Sequence, residues 1–194
     1  CSTSIQGIKN AVKAGADRIE LCSGLELGGI TPSKSLIEQA IKLKLSDIHC
    51  LIRPRAGHFT YSKEEVKIIE QDIVFAREVG CSGIVVGALT SEFKLDLALL
   101  SYWEQLAGSM YLTFHRAIDI VIDPMTAIKQ LIDLNFDCIL SSGQQEKAID
   151  GINELKLWNQ AFGDQILIMP GSGVNKDNCL LFKLEGFKSI HLSG

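Results

Sequence analysis

The chain has 194 residues, 46% of them apolar, and a formal net charge of −4. That length and apolar content suit a single domain over 1–194 with one sizeable core, and the mild acidity excludes a broad basic surface for nucleic acid. No apolar run approaches the length of a membrane span, and no charged-then-apolar leader opens the chain, so the expected setting is the cytoplasm.

Taken in chain order, short β-rich runs alternate with amphipathic stretches of helical period. A helix is expected over 4–14, then a strand at "RIELC" (18–22), a helix over 33–44 and a strand at "IHCLIRPR" (48–55). Next come a helix over 62–79, "GIVVGALT" (83–90), a helix over 95–107 and "MYLTFHRA" (110–117). The series closes with a helix over 124–134, "CILSSG" (138–143), a helix over 145–162, "QILIMPGSG" (165–173), a helix over 175–185 and "SIHLSG" (189–194). Ser33, Ser62 and Asn175 are N-cap candidates, and Pro124 stands early in its helix, where its missing N–H is harmless. Glycines at 15, 80, 108, 163 and 186 mark helix exits,.

Each helix exit leads through a short polar step into a β-branched run, as in "AGADRIEL", "VGCSGIVV" and "EGFKSIHL". The repeat, roughly every 25–35 residues, is that of a βα unit in a parallel sheet. Steps this even favour the closed eight-fold (β/α)8, or TIM, barrel over an open doubly wound sheet. A helix at 4–14 wants a strand before it, and the final strand wants a helix after it. The expectation is therefore a TIM barrel lacking most of its first strand, with Cys1 as that strand's last residue, and lacking its C-terminal helical segment. The opening residue, Cys1 rather than Met, agrees with a trimmed chain.

In such barrels the chemistry gathers where strands end. The ends here carry Cys1, Glu20 and Cys22, Arg53 and Arg55, Thr90, Thr113 and His115 with Arg116 and Asp119 beyond, Ser141 and Ser142, Gly171 to Gly173, and His191 with Ser193. Guanidinium groups clamp carboxylate or phosphate in two-point geometry. Arg53, Arg55 and Arg116 therefore point to a small anionic ligand, with Ser142, Gly171, Gly173 and Ser193 as further contacts. Glu20 and His115 are the acid/base candidates. Each has a plainer reading: Glu20 as half of a structural ion pair, His115 as a satisfied core histidine, "MPGSG" as a tight turn. His49 and His58 read as incidental. Of the six cysteines, Cys50, Cys81, Cys138 and Cys179 read as reduced thiols with a packing role, since no CxxC pair marks a zinc site or a disulfide framework.

The runs "GADRIELCSGLELGGITPS", "IRPRAGHFTYS", "VVGALT", "TFHRAID", "DPMTAIKQLI", "LSSG" and "IMPGSGV" resemble, in the same order, those of the CutC family of copper homeostasis proteins. The resemblance covers nearly the whole chain. It implies a cytoplasmic TIM barrel that handles copper, with Cys1 and Cys22 matching the two cysteines proposed to hold Cu(I). Soft Cu(I) prefers thiolates, and neighbouring strands about 4.8 Å apart let two such thiols meet. Ala56 and Ser172 stand where the family usually has glycine. Two readings stay open: a copper-binding protein with Cu(I) as its ion, or an enzyme on a small phosphate- or carboxylate-bearing substrate. Neither decides whether the chain forms a homo-oligomer.

Overall fold

The computed structural model describes residues 1–192; Ser193 and Gly194 lie outside the described residues. The fold is α/β. Helix α1 (Ile5–Lys13) precedes β1 (Arg18–Leu21), followed by α2 (Lys34–Leu43), β2 (Asp47–Leu51), α3 (Lys63–Val79), β3 (Gly83–Val86), α4 (Leu97–Ala107) and β4 (Tyr111–Phe114). Then come α5 (Pro124–Asp133), β5 (Cys138–Ser141), α6 (Ile152–Phe162), β6 (Leu167–Pro170) and the short α7 (Cys179–Leu184). The strands stand in sequence order in one six-stranded sheet, and every register resolved is parallel. Such order follows when each helix is a crossover between adjacent strands.

Among the described residues the chain divides into two compact units, one of Cys1–Val86 with Tyr102–Leu112, the other of Gly87–Ser101 with 113–192. In the first, β1, β2 and β3 pair through Leu21↔Cys50 and Cys50↔Ile84. All of β3, "GIVV", is buried, as expected of a strand covered on both faces. Helix α3 starts with a capping box between Ser62 and Glu65 and ends at Gly80, whose φ of 93° suits a residue without Cβ,. Its buried residues Ile69, Ile73 and Ala76 recur at the spacing of one helix face. In the second unit β5 pairs β4 and β6, with Thr113↔Cys138 and Ile139↔Ile168. Phe114 and Phe136 meet there edge to face at 5.9 Å, and Trp158, fully buried, donates its indole N–H to Glu154 Oε1 at 2.8 Å.

Several boundaries differ from the expectation. The strands stop at Leu51, Val86, Phe114, Ser141 and Pro170, because the residues beyond give their backbone groups to loops. No strand forms over 189–192, although His191 N–H donates to Pro170 O at 2.8 Å. The helix expected from 145 begins at Ile152; the carbonyls of Gln145 and Glu146 are taken by Arg116 and Ser172 instead. Asn178, not Asn175, precedes α7; Asn175 accepts from the Asp177 N–H in a turn of its own.

Candidate functional site

The site residues of the first unit collect at the C-terminal ends of β1 and β2. Ser2 N–H donates to Glu20 O at 2.8 Å and Cys22 N–H to Ser2 O at 3.0 Å, so Cys1 is carried beside the end of β1. There Cys22, Leu51 and Val85 form a buried apolar cluster against which Cys1 and Leu25 pack. Burial, and after it the nearby Glu20 carboxylate, push the Cys22 thiol up to about 11, so it is protonated at neutral pH. Its Sγ contacts Ser2 O at 3.8 Å. Glu20 itself is half-buried.

Arg53 and Arg55 follow β2 and spend most of their donors on protein acceptors. Arg53 is 7% exposed and donates to the carbonyls of Leu27 (3.1 Å), Gly29 (2.9 Å) and Gly57 (2.9 Å). It stacks over Phe59 with Cζ 5.0 Å from the ring centre. The carbonyls are brought to it by left-handed turns at Gly28 and Gly29, and a Cβ at Gly29 would lie 2.7 Å from Leu51 Cδ2. Arg55 forks onto Glu65 through Nε and Nη2 and donates besides to the carbonyls of Ala56, His58 and Thr60. The Glu65 carboxyl lies below its ordinary range, first because of Arg55 and then because of the Ser62 N–H. These two arginines therefore brace the loops after β1 and β2.

In the second unit the stretch after β4 turns into a 3₁₀ helix, Arg116–Ile120. His115 caps it: its Nδ1 accepts from Ala117 N–H at 3.3 Å, so in the neutral ring the proton sits on Nε2. The ring is buried and lies over Gly87, where a Cβ would come within 2.6 Å of it. One turn on, Asp119 returns toward the chain after β5. Its carboxylate, 6% exposed, accepts from Arg116 Nε (2.8 Å), Ser141 Oγ (2.5 Å), Ser142 N–H (3.0 Å) and Gln144 N–H (3.2 Å). Arg116 Nη2 also donates to Ser142 Oγ at 2.7 Å. Backbone N–H groups converging at a strand end make an anion nest; here those of Ser142 and Gln144 hold the protein's own Asp119.

The Gly171–Gly173 turn is built differently. Gly171 N–H donates to Ser141 O at 2.9 Å, and a Cβ at Gly171 would lie 2.3 Å from Leu140 Cδ1. Ser172 adopts φ 79°, the left-handed conformation that a glycine takes without strain. Its hydroxyl holds Glu146 O at 2.8 Å. Ser193 falls outside the described residues.

The structure thus brings together Cys1 with Cys22, and Arg116 with Ser142, while engaging Arg53 and Arg55 with protein acceptors. Sequence reasoning placed Asp119 and Ser141 at strand ends without naming their partners, and it missed Glu65. Asp119 three residues after Arg116 and Glu65 three after Ser62 were the available signals. Among the described residues no group of three or more His, Cys, Asp or Glu gathers to hold a metal. No helix among them is long and apolar enough to cross a membrane.

Relatives agree on one family. A protein named as family protein CutC from Pasteurella multocida strain Pm70 is 42% identical over 195 residues, which is 100% of this chain and 80% of that protein. One of the same name from Vibrio vulnificus strain YJ016 is 42% identical over 197 residues, 100% of this chain and 79% of that protein. The crystal structure of a CutC protein from Streptococcus agalactiae, named for copper homeostasis, is similar with TM-score 0.93 and 33% identity, covering 98% of this chain and 95% of that one. An aldolase called QR15, 12% identical with TM-score 0.69 over 95% of this chain and 82% of its own, shares the fold alone. The CutC family model matches residues 1–194, and the chain belongs to the CutC family.

Proposed function

We propose that this chain handles Cu(I) in copper homeostasis and that Cys1 and Cys22 are the thiols that hold the ion. The observation that carries the reading is the shared apolar patch: both cysteines pack with Leu25, Leu51 and Val85. Soft thiolate ligands select Cu(I), and an apolar shell limits competing water. With the Cys22 thiol near 11, binding displaces a proton, so affinity rises with pH. The name of the Streptococcus agalactiae relative supports the same role. We read the six parallel strands as part of a (β/α)8 barrel in one cytoplasmic domain, a setting that six free thiols favour,. The test is an anaerobic Cu(I) titration. Cys1→Ser and Cys22→Ser should each lose about one ion per chain, because one thiol leaves the ion without its pair. Glu20→Gln, a hard ligand, should change little. Unaltered stoichiometry in the double cysteine variant would overturn the assignment.

A second reading has an observation of its own. Arg116 keeps 40% of its side chain exposed while Asp119 and Ser142 fix its Nε and Nη2. A guanidinium held in place yet open to solvent suits a small carboxylate or phosphate. This enzyme reading narrows the anion contact to Arg116, since Arg53 and Arg55 serve the protein.

A further inference from the structure

The apolar patch around Cys22 has a cover of its own. Directly after Cys22 the chain makes a loop, Ser23–Ile30, whose ends meet: Ser23 N–H donates to Ile30 O at 2.9 Å and Ile30 N–H to Ser23 O at 2.8 Å. Compact loops with joined ends are packed by their own side chains and often serve function. Here Gly29 N–H closes further onto Gly24 O at 3.0 Å. The loop carries two leucines placed in opposite ways. Leu25 packs against the cluster of Cys22, Leu51 and Val85, while Leu27 is 50% exposed. The far limb lies on the same cluster: a Cβ at Gly29 would stand 2.7 Å from Leu51 Cδ2 and 3.8 Å from Cys22 Cβ.

Arg53 ties this loop to the chain after β2. Its Nη1 donates to Leu27 O at 3.1 Å and to Gly29 O at 2.9 Å. Its backbone N–H donates to Thr31 Oγ1, and its carbonyl accepts from Thr31 N–H, both at 2.8 Å. The closure is local. Gly24 and Gly28, on either side of Leu25–Leu27, stand at φ 59° and 80°, and a backbone without Cβ changes conformation there most easily. Breaking the two Nη1 bonds and withdrawing Leu25 would move the loop while the β1–β2 ladder, which ends at Leu21↔Cys50, stays paired. Cys22, 1% exposed as it stands, lies directly beneath.

We infer that the Ser23–Ile30 loop is a lid over the Cys1–Cys22 thiols, with Leu25 as its plug and Arg53 as the positioning residue that holds it shut. Closed, the lid keeps water from a sulfur-bound ion; open, it lets the ion in or out without breaking the sheet. That the ion is Cu(I) rests on the proposed copper function; the cover over Cys22 does not.

Timed labelling with N-ethylmaleimide, quantified at each cysteine by peptide mass mapping, tests it on the intact protein. Cys50 and Cys138, both 0% exposed, report opening of the whole fold. Leu25→Ala should speed labelling of Cys22 about tenfold and leave Cys50 and Cys138 at the parental rate. Arg53→Lys, which keeps the charge but not the forked donors, should do the same. A Cys22 rate in L25A that is unchanged, or that rises only together with those of Cys50 and Cys138, overturns the lid; either result in R53K removes Arg53 from it. Loaded with Cu(I) under anaerobic conditions, L25A should also yield the ion faster to the chelator bathocuproine disulfonate. Faster labelling of Cys22 without faster release keeps the lid and overturns the Cys1–Cys22 copper reading instead.

Discussion

His49 gives the structure a sharp dependence on acid. Its ring is 5% exposed, tilted against Tyr111 at 5.2 Å and pressed onto Gly83, where a Cβ would lie 2.6 Å from the ring. Burial, and secondarily the Arg18 charge, lower its pKa from 6.5 to about 4. The unfolded chain takes up a proton near 6.5 that the folded chain refuses until about 4. Stability from the neutral ring is therefore full above the unfolded value and is lost as pH falls toward the folded one. At about 1.36 kcal/mol per pH unit, the gap amounts to about 3 kcal/mol by pH 4. Urea unfolding of the protein and of His49→Gln, at pH 7, 6, 5 and 4, isolates this contribution, because the carboxylates and the other histidines are common to both. The variant should start less stable at pH 7 through poorer packing but lose about 3 kcal/mol less on the way to pH 4. Parallel curves, or a His49 ring-proton titration with its midpoint near 6.5, would refute the reasoning.

Two further outcomes concern the second unit. Asp119→Ala removes a nearly buried carboxylate and strands the donors of Arg116, Ser141, Ser142 and Gln144. Stability should drop by about 3 kcal/mol, and added formate, filling the vacated nest, should raise the variant's melting temperature but not that of the parent; a variant insensitive to formate would contradict the nest. If Arg116 receives an outside anion, phosphate should raise the parent's melting temperature by mass action, and Arg116→Ala should abolish the rise. An equal shift in both proteins would remove Arg116 from the anion reading.

The α/β order of elements and the parallel sheet were legible because their signals are local. Ser62 and Glu65 mark the start of α3 and Gly80 its end; the unbroken apolar "GIVV" marks a strand covered on both sides. What the pattern misplaced lies where side chains compete with the backbone for hydrogen bonds. Periodicity alone runs the helix before β6 back to residue 145, but the carbonyls of Gln145 and Glu146 accept from Arg116 and Ser172, and α6 waits for Ile152. Nothing in residues 145–151 announces this, since the donors stand far away in sequence.

The same reason governs the site. Residue types at the strand ends were readable, but the partners that use up their hydrogen bonds were not. Three arginines near strand ends suggest an anion pocket; only the structure shows Arg53 committed to the carbonyls of Leu27, Gly29 and Gly57 and Arg55 to Glu65. A guanidinium most of whose donors are already paired gains little from an outside anion, because binding must first break what it replaces. The strand-end N–H groups of Ser142 and Gln144 are likewise engaged by Asp119, so a phosphate there would have to displace a buried carboxylate. The cysteines follow the opposite logic. A thiol is a weak hydrogen-bond donor, so Cys22 beside Ser2 O forfeits little hydrogen bonding when its proton leaves. In the groups described, the arginines are therefore the costly residues to redirect, while the Cys22 thiol, raised to about 11, gives up its proton more readily as pH rises.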